Sequence, residues 1–169
     1  MNMKKIILLI AIIAITSVGY SQIADEYFKR GAEKANLQDY NGAIEDYTKA
    51  IEINPKDAIY YCYRGNAKVD LQDYIEAIAD YTKAIEIDPK YADAYSNRGN
   101  AKVSLLDYRG AIMDYTETIK LDPNNAQAYS NRGIVRITIG QKDSGCLDLS
   151  KAGELGLAFA YDAIQEYCK

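Results

Sequence analysis

Ala94-Tyr-Ser-Asn-Arg-Gly99 and Ala128-Tyr-Ser-Asn-Arg-Gly133 are the same six residues, 34 positions apart. A third near-copy, Tyr61-Cys-Tyr-Arg-Gly-Asn-Ala-Lys68, precedes Tyr95-Ser-Asn-Arg-Gly-Asn-Ala-Lys102 by the same interval. Other rows keep the step. Gly31, Gly65, Gly99 and Gly133 are in phase, as are Tyr27, Tyr61, Tyr95 and Tyr129. So are Ala43, Ala77 and Ala111, then Tyr47, Tyr81 and Tyr115, then Pro55, Pro89 and Pro123. A period of this length, with small, aromatic and Pro positions all locked, is the signature of stacked helical hairpins.

The local chemistry agrees. Tyr61, Arg64, Gly65 and Lys68 fall at i, i+3, i+4 and i+7, one face of a helix. Asp73-Tyr-Ile-Glu76 fits a capping box that opens a second helix. Pro89 then stops that helix, because it lacks an N–H and pushes its predecessor out of the α region. Gly65 and Ala77 are small enough for the two helices to approach closely. One such hairpin cannot bury its apolar face alone, and stacking several makes a continuous core.

These rows resemble the tetratricopeptide repeat (TPR) family over Ala24 to about Phe159. The resemblance implies an all-α fold, a right-handed superhelical solenoid of four helix-turn-helix units. The units are expected at 24–57, 58–91, 92–125 and 126–159. The fourth diverges, with Gly145, Leu149 and Leu157 where the others carry Ala, Tyr and Pro. The remainder, 160–169, reads as a capping helix with Ala160, Ile164, Tyr167 and Cys168 on its apolar side, or else as a docking helix for a partner. Terminal units of solenoids need such a cover.

An Arg stands before each repeat glycine (Arg30, Arg64, Arg98, Arg132), and an Asp follows each Arg by 16 residues (Asp46, Asp80, Asp114, Asp148). A guanidinium and a carboxylate pair bidentately and tolerate partial burial. Each Arg is therefore expected to meet the Asp of its own or the preceding second helix. A second basic row, Lys34, Lys68, Lys102 and Arg136, is expected to lie over tyrosines or to pair with acids.

The chain starts Met1-Asn-Met-Lys-Lys5, followed by an apolar run from Ile6 to Val18 that is short for a bilayer span. Gly19 and Ser21 supply the small residues of a cleavage site. Residues 1–21 are thus expected to be a signal peptide, with an uncleaved anchor as the other possibility. The mature chain would be periplasmic or secreted, with no membrane attachment, and Gln22 after the cut suits a Gram-negative source. In an oxidising compartment cysteines pair. Cys146 takes the place of Ile44, Ile78 and Ile112, and Cys168 lies on the proposed cap, so the two form a disulfide or remain two buried thiols. Cys62 is expected to be a lone buried thiol.

Composition excludes several functions. The 169 residues contain no His, which removes the commonest general base and metal ligand. The net charge of −4 argues against a nucleic-acid partner. No Cys spacing forms a metal or redox motif, so neither enzymatic activity, metal nor cofactor is expected. The resemblance implies instead that a peptide or protein lies in the groove of the first helices. Residues expected there are Asn66, Asn97, Asn100, Asn131, Ser96, Ser130, Asp93 and Gln127, with Val69 and Val103. Asn97 and Asn131 resemble an asparagine ladder found in some members, in which an amide donates and accepts at once. Lys29 and Tyr63 interrupt it in the first two units. Members that clamp a C-terminal carboxylate need cations where this chain has Phe28, Ala32, Tyr63, Asp93, Asn97, Gln127 and Asn131, which argues against chaperone tails as ligands. A homo-oligomer built through the solenoid ends, near Tyr27 and Phe28, is the competing expectation.

Overall fold

The computed structural model describes residues 21–168. The expected signal peptide at 1–21 therefore lies outside the described residues, apart from its last position. Helices account for nearly all of the described chain. They are α1 (21–36), α2 (Tyr40–Ile53), α3 (Ala58–Asp70), α4 (Tyr74–Ile87), α5 (Ala92–Ser104), α6 (Tyr108–Leu121), α7 (Ala126–Thr138), α8 (Lys142–Glu154) and α9 (Ala158–Tyr167). From α2 onward each packs against the next in chain order, α3 also touches α5, and α1 meets α2 where Gly31 lies against Tyr47. The result is a helical solenoid whose odd-numbered helices are the first members of the hairpins. Among the described residues, no helix is long and apolar enough to cross a membrane.

The turns inside the hairpins are copies of one another. The first helix ends in a left-handed residue: Gln38, Gln72, Leu106 and Gly140, with φ of 63°, 63°, 62° and 84°. The next N–H turns back to the helix, as from Asp73 to the Lys68 carbonyl (2.9 Å) and from Asp107 to the Lys102 carbonyl (2.9 Å). That satisfies carbonyls otherwise orphaned at a helix end. The Asp side chain then caps the second helix: Asp39 accepts from the Gly42 N–H, Asp73 from that of Glu76 and Asp107 from that of Gly110. Between hairpins, Asp88 and Asp122 stand before Pro89 and Pro123 and accept from the Lys90 and Asn124 N–H groups.

The core is built where small meets large. Ala43, Ala77 and Ala111 are fully buried, and so are the rings of Tyr47, Tyr81 and Tyr115. A Cβ on Gly65 or Gly99 would stand 2.8 Å from the ring of Tyr81 or Tyr115, closer than side chains pack. The repeat glycine is therefore the seat of the repeat tyrosine. In the fourth unit Leu149 replaces that tyrosine and remains fully buried.

The last helix differs from its expected bounds. It starts at Ala158, not at 160, because the fourth hairpin is two residues shorter than the others. Ala158-Phe-Ala-Tyr161 thereby repeats Ala92-Asp-Ala-Tyr95 and Ala126-Gln-Ala-Tyr129, and α9 sits against α8 as a further first helix. Ala160 and Ala163 are its buried residues. Tyr167, expected on the apolar stripe, is exposed, and so are Phe159 and Tyr161. A disulfide joins Cys146 in α8 to Cys168 at the end of α9. Cys62 is a free, buried thiol whose pKa is raised, chiefly by burial.

Candidate binding groove

Two networks line the stack of first helices, and they do different work. The first is ionic and structural. Each Arg meets the Asp of its own hairpin: Arg64 Nε and Nη2 donate to Asp80 at 2.9 and 2.6 Å, and Arg98 to Asp114 at 3.0 and 2.7 Å. Arg132 holds Asp148 at 2.9 and 2.8 Å, and Arg30 holds Asp46 in the same two-pronged way. The second basic row joins the same carboxylates. Lys34, Lys68, Lys102 and Arg136 lie 2.7–2.8 Å from Asp46, Asp80, Asp114 and Asp148. Each buried carboxylate thus faces two cations and is fully satisfied.

The remaining arginine donor crosses the seam between hairpins. Arg64, Arg98 and Arg132 Nη1 donate to the hydroxyls of Thr48, Thr82 and Thr116 in the preceding unit, at 3.0–3.1 Å. Those threonines pass their own protons to Ile44, Ile78 and Ile112 carbonyls, one turn back. Tyr61, Tyr95 and Tyr129 cover the three guanidinium groups at 5.6 Å. Arg30 makes no such threonine bond among the described residues, and half of its side chain is exposed. Sequence reading did not foresee the threonine row, although Thr48, Thr82 and Thr116 keep the 34-residue step.

The second network is neutral and lies on the open face of the first helices. Asn66 Oδ1 accepts from the Tyr81 hydroxyl (2.7 Å) and from Asn97 Nδ2 (3.0 Å). One step on, Asn100 Oδ1 accepts from the Tyr115 hydroxyl (2.7 Å) and from Asn131 Nδ2 (3.1 Å). Gln127 braces Asn131 from the side (2.7 Å). The asparagines are therefore two interlocked pairs rather than one open ladder. Asn66 and Asn100 are committed to the tyrosines below them through their oxygens. Among the described residues their amide N–H groups, and the Asn97 oxygen, carry no partner, and they are what the groove can offer a ligand. Burial raises the pKa of both Tyr81 and Tyr115, which keeps their hydroxyls protonated as donors.

Three hollows open in a row along this face, about 240, 260 and 200 Å³ in volume. The first lies between α1 and α3 and is lined by Tyr40, Tyr47, Tyr63 and Asp70 among others. The second, between α3 and α5, is lined by Asn66, Val69, Asp70, Tyr81, Asn97 and Asn100. The third, between α5 and α7, is lined by Asn100, Val103, Tyr115, Asn131, Ile134 and Val135. Asp93 is exposed and Ser96 half-buried, and neither lines a hollow. Ser130 is a correction to the expected set: it is fully buried and its hydroxyl has no partner among the described residues. Neighbouring helix positions point about 100° apart, so Ser130 turns into the seam at the place of Cys62 while Asn131 faces the groove. Among the described residues no cluster of Cys, Asp and Glu is arranged to hold a metal ion.

Family comparison matches this architecture directly. A model described as TPR repeat covers residues 24–71 and 65–105, and one described as Tetratricopeptide repeat covers 92–125. The chain belongs to the tetratricopeptide repeat family. Among solved TPR structures, the Arabidopsis OM64 TPR domain is 32% identical, with 69% of this chain and 97% of that chain covered and a TM-score of 0.68. A crystal structure of MamA is similar at 27% identity, covering 78% of this chain and 77% of that one, with a TM-score of 0.76. The first TPR of Spaghetti (RPAP3), bound to the HSP90 peptide SRMEEVD, is 28% identical over 70% of this chain and 94% of its own, with a TM-score of 0.69. TPR domains mediate protein–protein interactions, and this relative holds a peptide.

Proposed function

We propose that this chain is a non-enzymatic scaffold that holds an extended segment of a partner protein along the three hollows of its first helices. The observation that carries the reading is the pair of braced asparagines. Asn66 and Asn100 are fixed in orientation by Tyr81 and Tyr115, and each keeps amide protons free toward the hollow. Fixed amides spaced one hairpin apart can meet backbone carbonyls without ordering cost. Val69, Val103 and Ile134 supply apolar seats between them. The ligand differs in charge from that of the RPAP3 relative. SRMEEVD is acidic, whereas among the described residues no Lys or Arg lines any of the three hollows.

The same reading takes the mature chain to be exported. The leader-like composition of residues 1–21 supports it, and so does the Cys146–Cys168 disulfide, since such bonds persist in oxidising compartments. A second reading is end-to-end assembly, favoured by the exposed rings of Phe159 and Tyr167 on α9. Light scattering across a concentration series separates the two, because a monomer at all concentrations rules out assembly.

Photo-crosslinking tests the groove. A benzophenone amino acid at Val69 or Val103 should capture one protein partner in intact cells. The same probe at Met113 or Leu147, both largely exposed on second helices, should not. Equal capture from Met113 and Leu147 would move the site off the groove.

A further inference from the structure

Because the hairpins are near-copies, a groove residue that breaks the repeat is not dictated by the stack. The first hollow collects three such breaks. Tyr63 stands where the later units have Asn97 and Asn131. Ala32 stands where they have Asn66 and Asn100, so Tyr47 lacks the amide acceptor that holds Tyr81 and Tyr115. Asp70 stands where the other units have Asn36, Ser104 and Thr138.

Asp70 stands on the wall shared by the first and second hollows, and the first alone combines it with the Tyr40, Tyr47 and Tyr63 rings. The Tyr47 and Tyr63 rings meet edge to face, 6.1 Å between centroids, and Phe28 buttresses Tyr63 at 5.0 Å. Tyr40 closes another side. The Tyr47 ring is 1% exposed, yet its hydroxyl has no hydrogen-bond partner among the described residues. Burial pushes its pKa up to about 12, so it stays a neutral hydroxyl with lone pairs to offer. Asp70 is exposed and, among the described residues, is the sole charged one lining any of the three hollows and makes no ion pair or hydrogen bond through its carboxylate. Aromatic faces, an unpaired carboxylate and an acceptor hydroxyl all attract the same guest, a cation. An anionic side chain would meet the carboxylate and the negative ring faces.

We propose that the hollow between α1 and α3 is a socket for a basic side chain, lysine or arginine, in the segment that the groove holds. The proposal rests on the groove reading and adds the charge and register of the ligand. The basic residue would occupy the first hollow, and the segment would continue past Asn66 and Asn100 toward the aliphatic third hollow.

A phage-displayed library of random nonapeptides, panned on the disulfide-bonded mature chain, tests this. The selected clones should share a Lys or Arg at one position followed, several residues on, by apolar residues. The affinity of a selected peptide should fall about tenfold with Asp70→Asn, or when its basic residue becomes Gln, and should rise at low salt. Tyr63→Ala should weaken it as well, and Asp93→Asn should not. Asp70 is exposed and unpartnered, so its substitution leaves the fold intact, as circular dichroism would verify. Clones without a common basic residue that still lose binding with Val103→Glu would overturn the socket and leave the groove standing. No clones at all, or clones indifferent to both Val103→Glu and Asp70→Asn, would overturn both.

Discussion

Consider removing the carboxylate from the third ionic cluster. Asp114 is 3% exposed and accepts from Arg98 twice and from Lys102 once. The side chains of Arg98 and Lys102 are themselves only 16% and 19% exposed. Asp114→Leu would leave two cations without a counter-charge where water reaches them poorly, and should cost about 3–5 kcal/mol. Arg98→Leu should cost less, about 2 kcal/mol, because Asp114 keeps Lys102 and the further loss is one bond to the neutral Thr82. The double variant leaves a single cation stranded, so it should be about 2 kcal/mol better than the sum of the two singles. Adding Lys102→Leu removes the last stranded charge, and the triple variant should be more stable than Asp114→Leu alone. Urea titrations at neutral pH, followed by circular dichroism at common slope, measure all four. Single-variant costs that simply add, or a triple variant no better than Asp114→Leu, would refute the argument that these groups act as one unit.

Three further outcomes are expected. In the first cluster, hydrogen bonds from Arg30 and then Lys34 hold the Asp46 carboxyl at about 2. Its stabilising contribution should be complete above the ordinary carboxylate range near 4 and vanish as pH falls toward 2. Thermal melts between pH 5 and pH 2.5 should therefore shift less in Asp46→Asn than in the parent. Leu106 is 69% exposed at φ 62°, where Gly140 stands in the fourth turn, so Leu106→Gly should raise stability by about 0.5–1 kcal/mol in a urea titration. Cys146→Ser should cost roughly 3 kcal/mol by the chain-entropy estimate for closing a loop of 22 residues, and reductant should bring the parent down to the variant in a paired melt.

The repeat made the solenoid legible, because a fixed step converts one correct hairpin into all of them. It also exposed the Arg and Asp rows, since a spacing of 16 kept in four copies reports a geometry rather than an accident. The same rows hid what crosses between hairpins. A bond from Arg98 to Thr82 spans 16 residues backward, and no turn or cap marks it. The asparagines misled for a related reason. Asn97 and Asn131 looked free because their partners, Asn66 and Asn100, lie 31 residues away across a seam. A weak signal was present: Asn stands 15 residues before the tyrosine in the second and third units, and Ile134 stands before Leu149 in the fourth. Ser130 was misplaced by proximity in sequence to Asn131, and α9 by assuming that the step of 34 continued after the fourth unit had shortened.

The distribution of bonds across the seam bears on how such an array can change length. Asp, Arg and Lys of each cluster all belong to one hairpin, and only a neutral hydroxyl is borrowed from the neighbour. A gene segment encoding one hairpin can therefore be duplicated or lost without leaving a buried charge unmatched at the new junction. The ionic consequence falls on the leading arginine, whose Nη1 donor loses its threonine acceptor and turns to solvent, as half of the Arg30 side chain does among the described residues. Charge neutrality is settled within each tile, so the row can grow or shrink one tile at a time.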